Sequence, residues 1–139
     1  MSITSLAHVC IRGADLDAIT RFYCEVLGLE KWFNFLKNGR IIGFYIKVND
    51  SNFIEVFQAD KPHESFTGSR LSHFCLQTDA IETVRKKLVD AGYCPGEIKP
   101  GSDESYQFWI KDPAGVDIEF HQYTLNSSQA TRKDVEVNW

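Results

Sequence analysis

The sequence predicts an α+β fold: two tandem βαβββ modules forming a curved mixed sheet around a cleft, with the helices on the outer face. Three observations predict it. The chain repeats itself, since Leu6, His8 and Cys10 recur as Leu71, His73 and Cys75 at an offset of 65, and Ile54, Glu55 and Gln58 recur as Ile118, Glu119 and Gln122 at an offset of 64. The apolar spacing changes from a period of two to a helical period and back, in the same order in each half. The length of 139 residues, 43% hydrophobic and 24% charged, suits one globular domain.

Each element has a local reason. Residues 6–12 alternate and are rich in strand formers. Residues 15–27 carry Ile19, Phe22, Tyr23 and Val26 on a helical stripe, and Gly28 is a natural stop. Strand-like runs follow at 31–36, 41–48 and 52–59, with Asn38-Gly39 and Asn49-Asp50 as turns between them. The second half repeats the order: a strand over 70–77, a helix over 80–91 closed by Gly92, then strands near Glu97, at 106–110 and at 116–123. Asp112-Pro113-Ala114-Gly115 is a turn, with Pro fixing one φ and Gly free to take a positive one. The expected organisation is therefore one domain over residues 1–123, made of repeats 3–59 and 70–123 joined by a hinge at 60–69. A polar tail follows over 124–139, which docks through Trp139 or frays.

Composition narrows the function. A net charge of −4 leaves no basic surface of the size a phosphate backbone demands, so nucleic acid is not an expected partner. The longest near-apolar run, residues 41–46, is too short to span a bilayer. The first eight residues lack a basic segment followed by an apolar one, so no signal peptide is expected. Cys10, Cys24, Cys75 and Cys94 form no C-x-x-C pair and read as reduced thiols of a cytoplasmic protein.

The outer strands of each half have two unlike faces. Val9, Ile11, Ile54, Val56, Phe74, Leu76, Ile118 and Phe120 make one apolar face, which must pack on the helices. The other carries His8, Cys10, Arg12, Glu55, Phe57, His73, Cys75, Gln77, Glu119 and His121. A solvated face normally shows Lys, Thr and Ser. Paired His, Glu and Cys at matched places in a repeat fit a polar-lined cleft better. A pseudo-two-fold axis between the halves is expected to bring His8, Glu55, His73 and Glu119 together. Two imidazoles and two carboxylates at one point make a divalent-metal site, for Ni, Zn, Co, Mn or Fe. Without a cation, neighbouring carboxylates would raise each other's pKa at a cost. Cys10 and Cys75 are expected to line the cleft, as small wall residues ahead of any role as nucleophile or extra ligand. His121 is expected as a donor behind the ligands or as a substrate contact. His63 falls in the hinge and is expected to be solvated. Phe33, Phe35, Tyr45, Phe57, Tyr106, Phe108 and Trp109 are expected mostly in the core.

The stretches His8-Val9-Cys10-Ile11-Arg12-Gly13-Ala14-Asp15-Leu16, Phe22-Tyr23-Cys24-Glu25-Val26-Leu27-Gly28-Leu29 and Asp112-Pro113-Ala114-Gly115-Val116-Asp117-Ile118-Glu119 resemble those of the vicinal oxygen chelate superfamily. This is the glyoxalase, bleomycin-resistance and extradiol-dioxygenase group. The resemblance covers residues 3–123. It implies a metal-dependent enzyme. Four filled ligand places, His8, Glu55, His73 and Glu119, resemble glyoxalase I and more loosely methylmalonyl-CoA epimerase, rather than the two-His one-Glu dioxygenases. The activity so implied is a lyase or isomerase that binds two adjacent oxygens of a small carbonyl substrate and stabilises an enediolate, with Glu119, Glu55 or both moving the proton. Arg12 matches an arginine that helps hold glutathione in bacterial glyoxalase I; an ordinary charged strand end is the equal alternative. Glutathione is therefore a candidate cosubstrate. Ala59 stands where an asparagine is frequent, and the loop Lys99-Pro100-Gly101-Ser102-Asp103-Glu104-Ser105 carries two acids. Both departures leave open an epimerase or isomerase on a substrate without glutathione. A metal-free protein that sequesters a small molecule is the reading from another class. The resemblance also implies a homodimer, with the site formed within one chain or across two.

Overall fold

The computed structural model describes residues 4–59 and 71–135. The hinge at 60–69, His63 within it, and Trp139 lie outside the described residues. The chain divides into two compact units: residues 1–70 with the turn 112–116, and residues 71–111 with 117–139.

The first unit contains strand β1 (His8–Gly13), helix α1 (Leu16–Thr20), a π-helical continuation over Arg21–Val26, and strands β2 (Glu30–Lys37), β3 (Arg40–Lys47) and β4 (Phe53–Gln58). Its mixed sheet runs β1-β4-β3-β2, with β1 and β4 parallel and the other pairs antiparallel. The second contains β5 (Phe74–Gln77), α2 (Ile81–Asp90), β6 (Lys99–Pro100), β7 (Tyr106–Lys111), β8 (Asp117–Gln122) and the short α3 (Ser128–Thr131). Its sheet runs β5-β8-β7-β6, again with only the first pair parallel. The two sheets thus share one strand order, and the fold is α+β with one mixed sheet per module.

The cores follow from strand alternation. In the first unit Ile11, Phe44, Ile46, Ile54 and Val56 are buried together with Ile19, Phe22 and Tyr23 of the helical segment. In the second, Ile81 and Leu88 of α2 join Phe108, Ile110, Ile118 and Phe120, and the Phe108 and Phe120 rings stack at 4.8 Å. Each such side chain removed from water contributes about 1.5–3 kcal/mol.

Two elements differ from the sequence expectation. The expected helix over 15–27 is α-helical only to Thr20 and then widens into a π turn, in which Leu27 N–H donates to Phe22 O across 3.1 Å. The wider turn lets the consecutive aromatics Phe22 and Tyr23 both reach the core, edge to face at 4.9 Å. The strand expected near Glu97 lies at Lys99–Pro100 and has two residues. Pro100 has no N–H for the ladder, and Glu97 is instead drawn to Arg85 at 2.6 Å.

The turn Asp112–Val116 belongs to the first unit and is locked there by Tyr23. The Tyr23 hydroxyl donates to Asp112 Oδ2 across 2.8 Å, while Asp112 Oδ1 accepts from Ala114 N–H at 2.9 Å and Val116 N–H at 2.8 Å. Both side chains are buried, and burial raises the Asp112 carboxyl above, and the Tyr23 phenol well above, their ordinary values. Beyond β8, Ser127 is fully buried, its hydroxyl donating to Glu104 O at 3.2 Å, and Gln129 donates to Asp103 at 2.7 Å. The start of the tail is therefore folded onto the loop before β7.

Candidate functional site

Strand register sets the same group of side chains around one glutamate in each module. In the first, Glu55 on β4 lies between Cys10 on β1 and Tyr45 on β3. In the second, Glu119 on β8 lies between Cys75 on β5 and Trp109 on β7. The histidine stands two residues before the cysteine in both, so period-two alternation puts it on the glutamate's face.

The resulting pairs have equal dimensions. His8 Nε2 is 3.5 Å from Glu55 Oε2, and His73 Nε2 is 3.5 Å from Glu119 Oε2. Each imidazole is oriented through its other nitrogen. His8 Nδ1 is 2.9 Å from the Tyr45 hydroxyl, and His73 Nδ1 is 2.7 Å from the Ser72 hydroxyl. The His73 ring also meets Trp109 edge to face at 4.6 Å. Fixing Nδ1 in this way leaves Nε2 facing the carboxylate, the arrangement that tunes metal-binding histidines.

Glu119 has a second imidazole partner. His121 Nε2 lies 2.8 Å from Glu119 Oε1 and 3.1 Å from Gln107 Oε1. Both partners are acceptors, so this nitrogen carries the proton. Cys75, Glu119 and His121 offer ligand atoms that all lie within 4.8 Å of one another. Burial, then the charge of Glu119, pushes the Cys75 thiol up to about 12. Burial and Glu55 raise Cys10 as well. Both sulfurs therefore remain thiols at neutral pH, which does not favour them as free nucleophiles.

The donor chemistry fits a divalent cation. The 3.5 Å separation in each pair is too long for a strong hydrogen bond. It is close to what two donors at about 2.1 Å from one ion span at a near-tetrahedral angle.

The aromatic residues correct the sequence expectation. Of the seven expected mostly in the core, Phe108 is buried, whereas Phe33, Tyr106 and Trp109 are exposed and Phe35, Tyr45 and Phe57 are half-buried. The cause is strand parity. Phe44 and Ile46 fill the core from β3, so Tyr45 must point to the other face. There Phe33 stacks on Tyr45 at 4.7 Å and Phe35 on Phe57 at 4.7 Å, forming an aromatic wall beside His8 and Glu55. Tyr45 and Trp109, expected in the core, stand instead beside the His–Glu pairs; the alternation of β3 and β7 carried the signal. Arg12 lies across from Phe57 in register and is exposed.

With this geometry in place, comparison with known proteins defines the class. The Glyoxalase/Bleomycin resistance protein/Dioxygenase superfamily matches residues 5–120, and the chain belongs to it. It is 30% identical over 130 residues to a lactoylglutathione lyase of Arabidopsis thaliana, a match covering 83% of this chain and 43% of that protein. The chain therefore spans less than half the length of that relative. It is 27% identical over 125 residues to a Synechocystis protein named "Probable lactoylglutathione lyase", covering 84% of this chain and 94% of that one. Among solved structures, the glyoxalase family protein from Enterococcus faecalis has a TM-score of 0.74 at 24% identity, covering 87% of this chain and 99% of that one; this likeness shows the fold. Among the described residues no helix is long and apolar enough to cross a membrane.

Proposed function

We propose that the chain is a metal-dependent lyase or isomerase of the glyoxalase I type, acting on a small carbonyl substrate with two adjacent oxygens. The observation that carries this reading is the duplicated His–Glu pair, with the same 3.5 Å separation in both modules and an oriented Nδ1 in each. Membership of the superfamily and two relatives named for lactoylglutathione lyase activity support it.

We assign His8, Glu55, His73 and Glu119 to one divalent ion, Ni, Zn, Co, Mn or Fe. Such an ion supplies Lewis-acid polarisation of a carbonyl. The protein supplies the rest. Tyr45 and Ser72 hold the two imidazoles in register. The aromatic wall of Phe33, Tyr45, Phe35 and Phe57 keeps water from one side of the reacting carbon. Glu55 or Glu119 takes the proton from the hydroxyl-bearing carbon beside the carbonyl, leaving an enediolate, and returns it to the former carbonyl carbon. The reading includes a homodimer and, on the strength of four unpaired cysteines, a cytoplasmic location. Glutathione is one carrier of the substrate; an isomerisation without it uses the same residues.

The test is turnover of the methylglyoxal–glutathione hemithioacetal, and of hydroxy-ketones, in deuterated solvent by metal-loaded protein. Glu55→Gln or Glu119→Gln should lower kcat by about 10²–10⁴-fold. If both variants exchange the substrate proton at the wild-type rate, the carboxylates are not the base.

A further inference from the structure

We propose that the segment after β8, residues 124–131, is a positioning arm for the candidate site: through Asp103, Ser105 and His121 it holds the Glu119 carboxylate in place. It rests on the preceding reading only in calling Glu119 an ion ligand.

The second module departs from the repeat at places that meet in space. The connection between β2 and β3 is the two residues Asn38-Gly39, whereas that between β6 and β7 is five, Gly101–Ser105. The residue two after the glutamate is Phe57 in the first module and His121 in the second. A phenyl ring has no polar atom to offer there, but an imidazole has two nitrogens. One of them, Nε2, lies 2.8 Å from Glu119 Oε1. The other, Nδ1, faces the longer loop, 3.4 Å from the Ser105 hydroxyl and 3.9 Å from Asp103 Oδ2. The longer loop and the imidazole therefore work as a pair, the loop backing the ring that backs Glu119.

The loop is held in turn by the arm. Gln129 Nε2 donates to Asp103 Oδ2 across 2.7 Å, and Ser128 N–H donates to Asp103 O across 2.9 Å. The Ser105 hydroxyl donates to Asp103 Oδ1 across 2.7 Å. Both oxygens of Asp103 are thus fixed, one by the arm and one by the serine that faces His121. Glu104, between them, has φ 62°, a left-handed conformation that a side chain disfavours. Its carbonyl accepts from the Thr124 hydroxyl at 2.9 Å and the Ser127 hydroxyl at 3.2 Å. Ser105 and Ser127 are fully buried, where a hydroxyl without a partner is costly. These contacts hold the loop in one conformation against its local preference.

The expected effect is on the site rather than on the fold. Hydrogen-bond partners behind a metal ligand are worth about 10–100-fold in ion affinity. The arm stands behind that partner, so its release should cost less, at least about threefold.

Position 129 is exposed, so a substitution there leaves the core untouched. Gln129→Glu sets a second carboxylate against Asp103 and should release the arm. Gln129→Lys keeps a donor there and should leave the arm docked. The first readout is nuclear magnetic resonance of the full chain, freed of metal over a chelating resin and carrying isotope-labelled histidine. The chain has four histidines, and His121→Phe identifies the His121 signals by their loss. The proton on His121 Nε2 should exchange with water at least about fivefold faster in Gln129→Glu than in wild type, the scale of a lost hydrogen bond with an added repulsion. In Gln129→Lys it should stay within about twofold of wild type, and the His8 ring should be unchanged in both variants. The second readout is Ni affinity, by competition with a chromophoric chelator, which should fall in Gln129→Glu alone. Unchanged His121 exchange in Gln129→Glu, equal acceleration in Gln129→Lys, or equal Ni affinity in wild type and Gln129→Glu overturns the proposal. A wild-type chain that binds no ion would sink the preceding reading instead, and the His121 exchange would still decide whether the arm holds that ring.

Discussion

Nε2 of His121 lies 2.8 Å from Oε1 of Glu119, and the matching place in the first module, two residues after Glu55, is Phe57. The duplicated glutamates are therefore unequal. Glu119 is held by His73 on one oxygen and His121 on the other, and its side chain is 10% exposed; that of Glu55 is 19% exposed and faces His8 alone among imidazoles of the described residues. His121→Phe should weaken divalent-ion binding by about 10–100-fold while the fold is retained. Competition with a chromophoric chelator measures this, and an unchanged affinity would show that His121 does not position Glu119.

Cys75 should resist alkylation. With its thiol pushed up to about 12, the thiolate is scarce at pH 8. Its iodoacetamide rate, followed by peptide mass spectrometry, should be at least about tenfold below that of an unperturbed thiol and keep rising past the usual thiol range. A plateau near pH 9 would contradict the burial argument.

Tyr23→Phe should cost about 1–3 kcal/mol, because Asp112 Oδ2 loses its donor in a buried setting. Asp112 also predicts a pH dependence. Its carboxyl is raised in the folded state, mainly by burial, so the folded chain keeps this proton to higher pH than the unfolded chain does. Its contribution is full below about pH 3.9 and is lost as pH rises through the raised value. The stability of wild type relative to Asp112→Asn should accordingly fall across that window. Denaturant melts of both proteins from pH 3.5 upward measure it, and a constant difference would contradict the raised value.

Gly43→Ala should destabilise the first sheet by about 1–3 kcal/mol. An added Cβ would stand 2.1 Å from the Val56 carbonyl oxygen, and backbone in a ladder cannot yield cheaply. Thermal unfolding measures the loss; an unchanged midpoint would show that β4 shifts freely.

The repeat made the shared strand order of the two modules legible in advance. Period-two alternation separated His8, Glu55, His73 and Glu119 from the apolar face, and the registers keep Cys10 beside Glu55 and Cys75 beside Glu119. The aromatics were misplaced because bulk and apolarity favour the core, whereas the parity of β3 and β7 had already given the core to Phe44, Ile46, Phe108 and Ile110. The π turn was not legible because Phe22 and Tyr23 also satisfy a regular helical stripe. Alternation put His121 on the face of Glu119, as expected of a donor behind it, but the 2.8 Å approach depends on side-chain rotamers, which alternation does not specify.

In the proposed site the two His–Glu pairs serve one ion. Equilibrium loading of the full chain with Ni, Zn, Co and Mn, read by elemental mass spectrometry, tests it most directly. About one tightly held ion per chain is expected, lost in His8→Ala from the first module and equally in Glu119→Ala from the second. No ion under any loading, or full occupancy surviving His8→Ala, would contradict it.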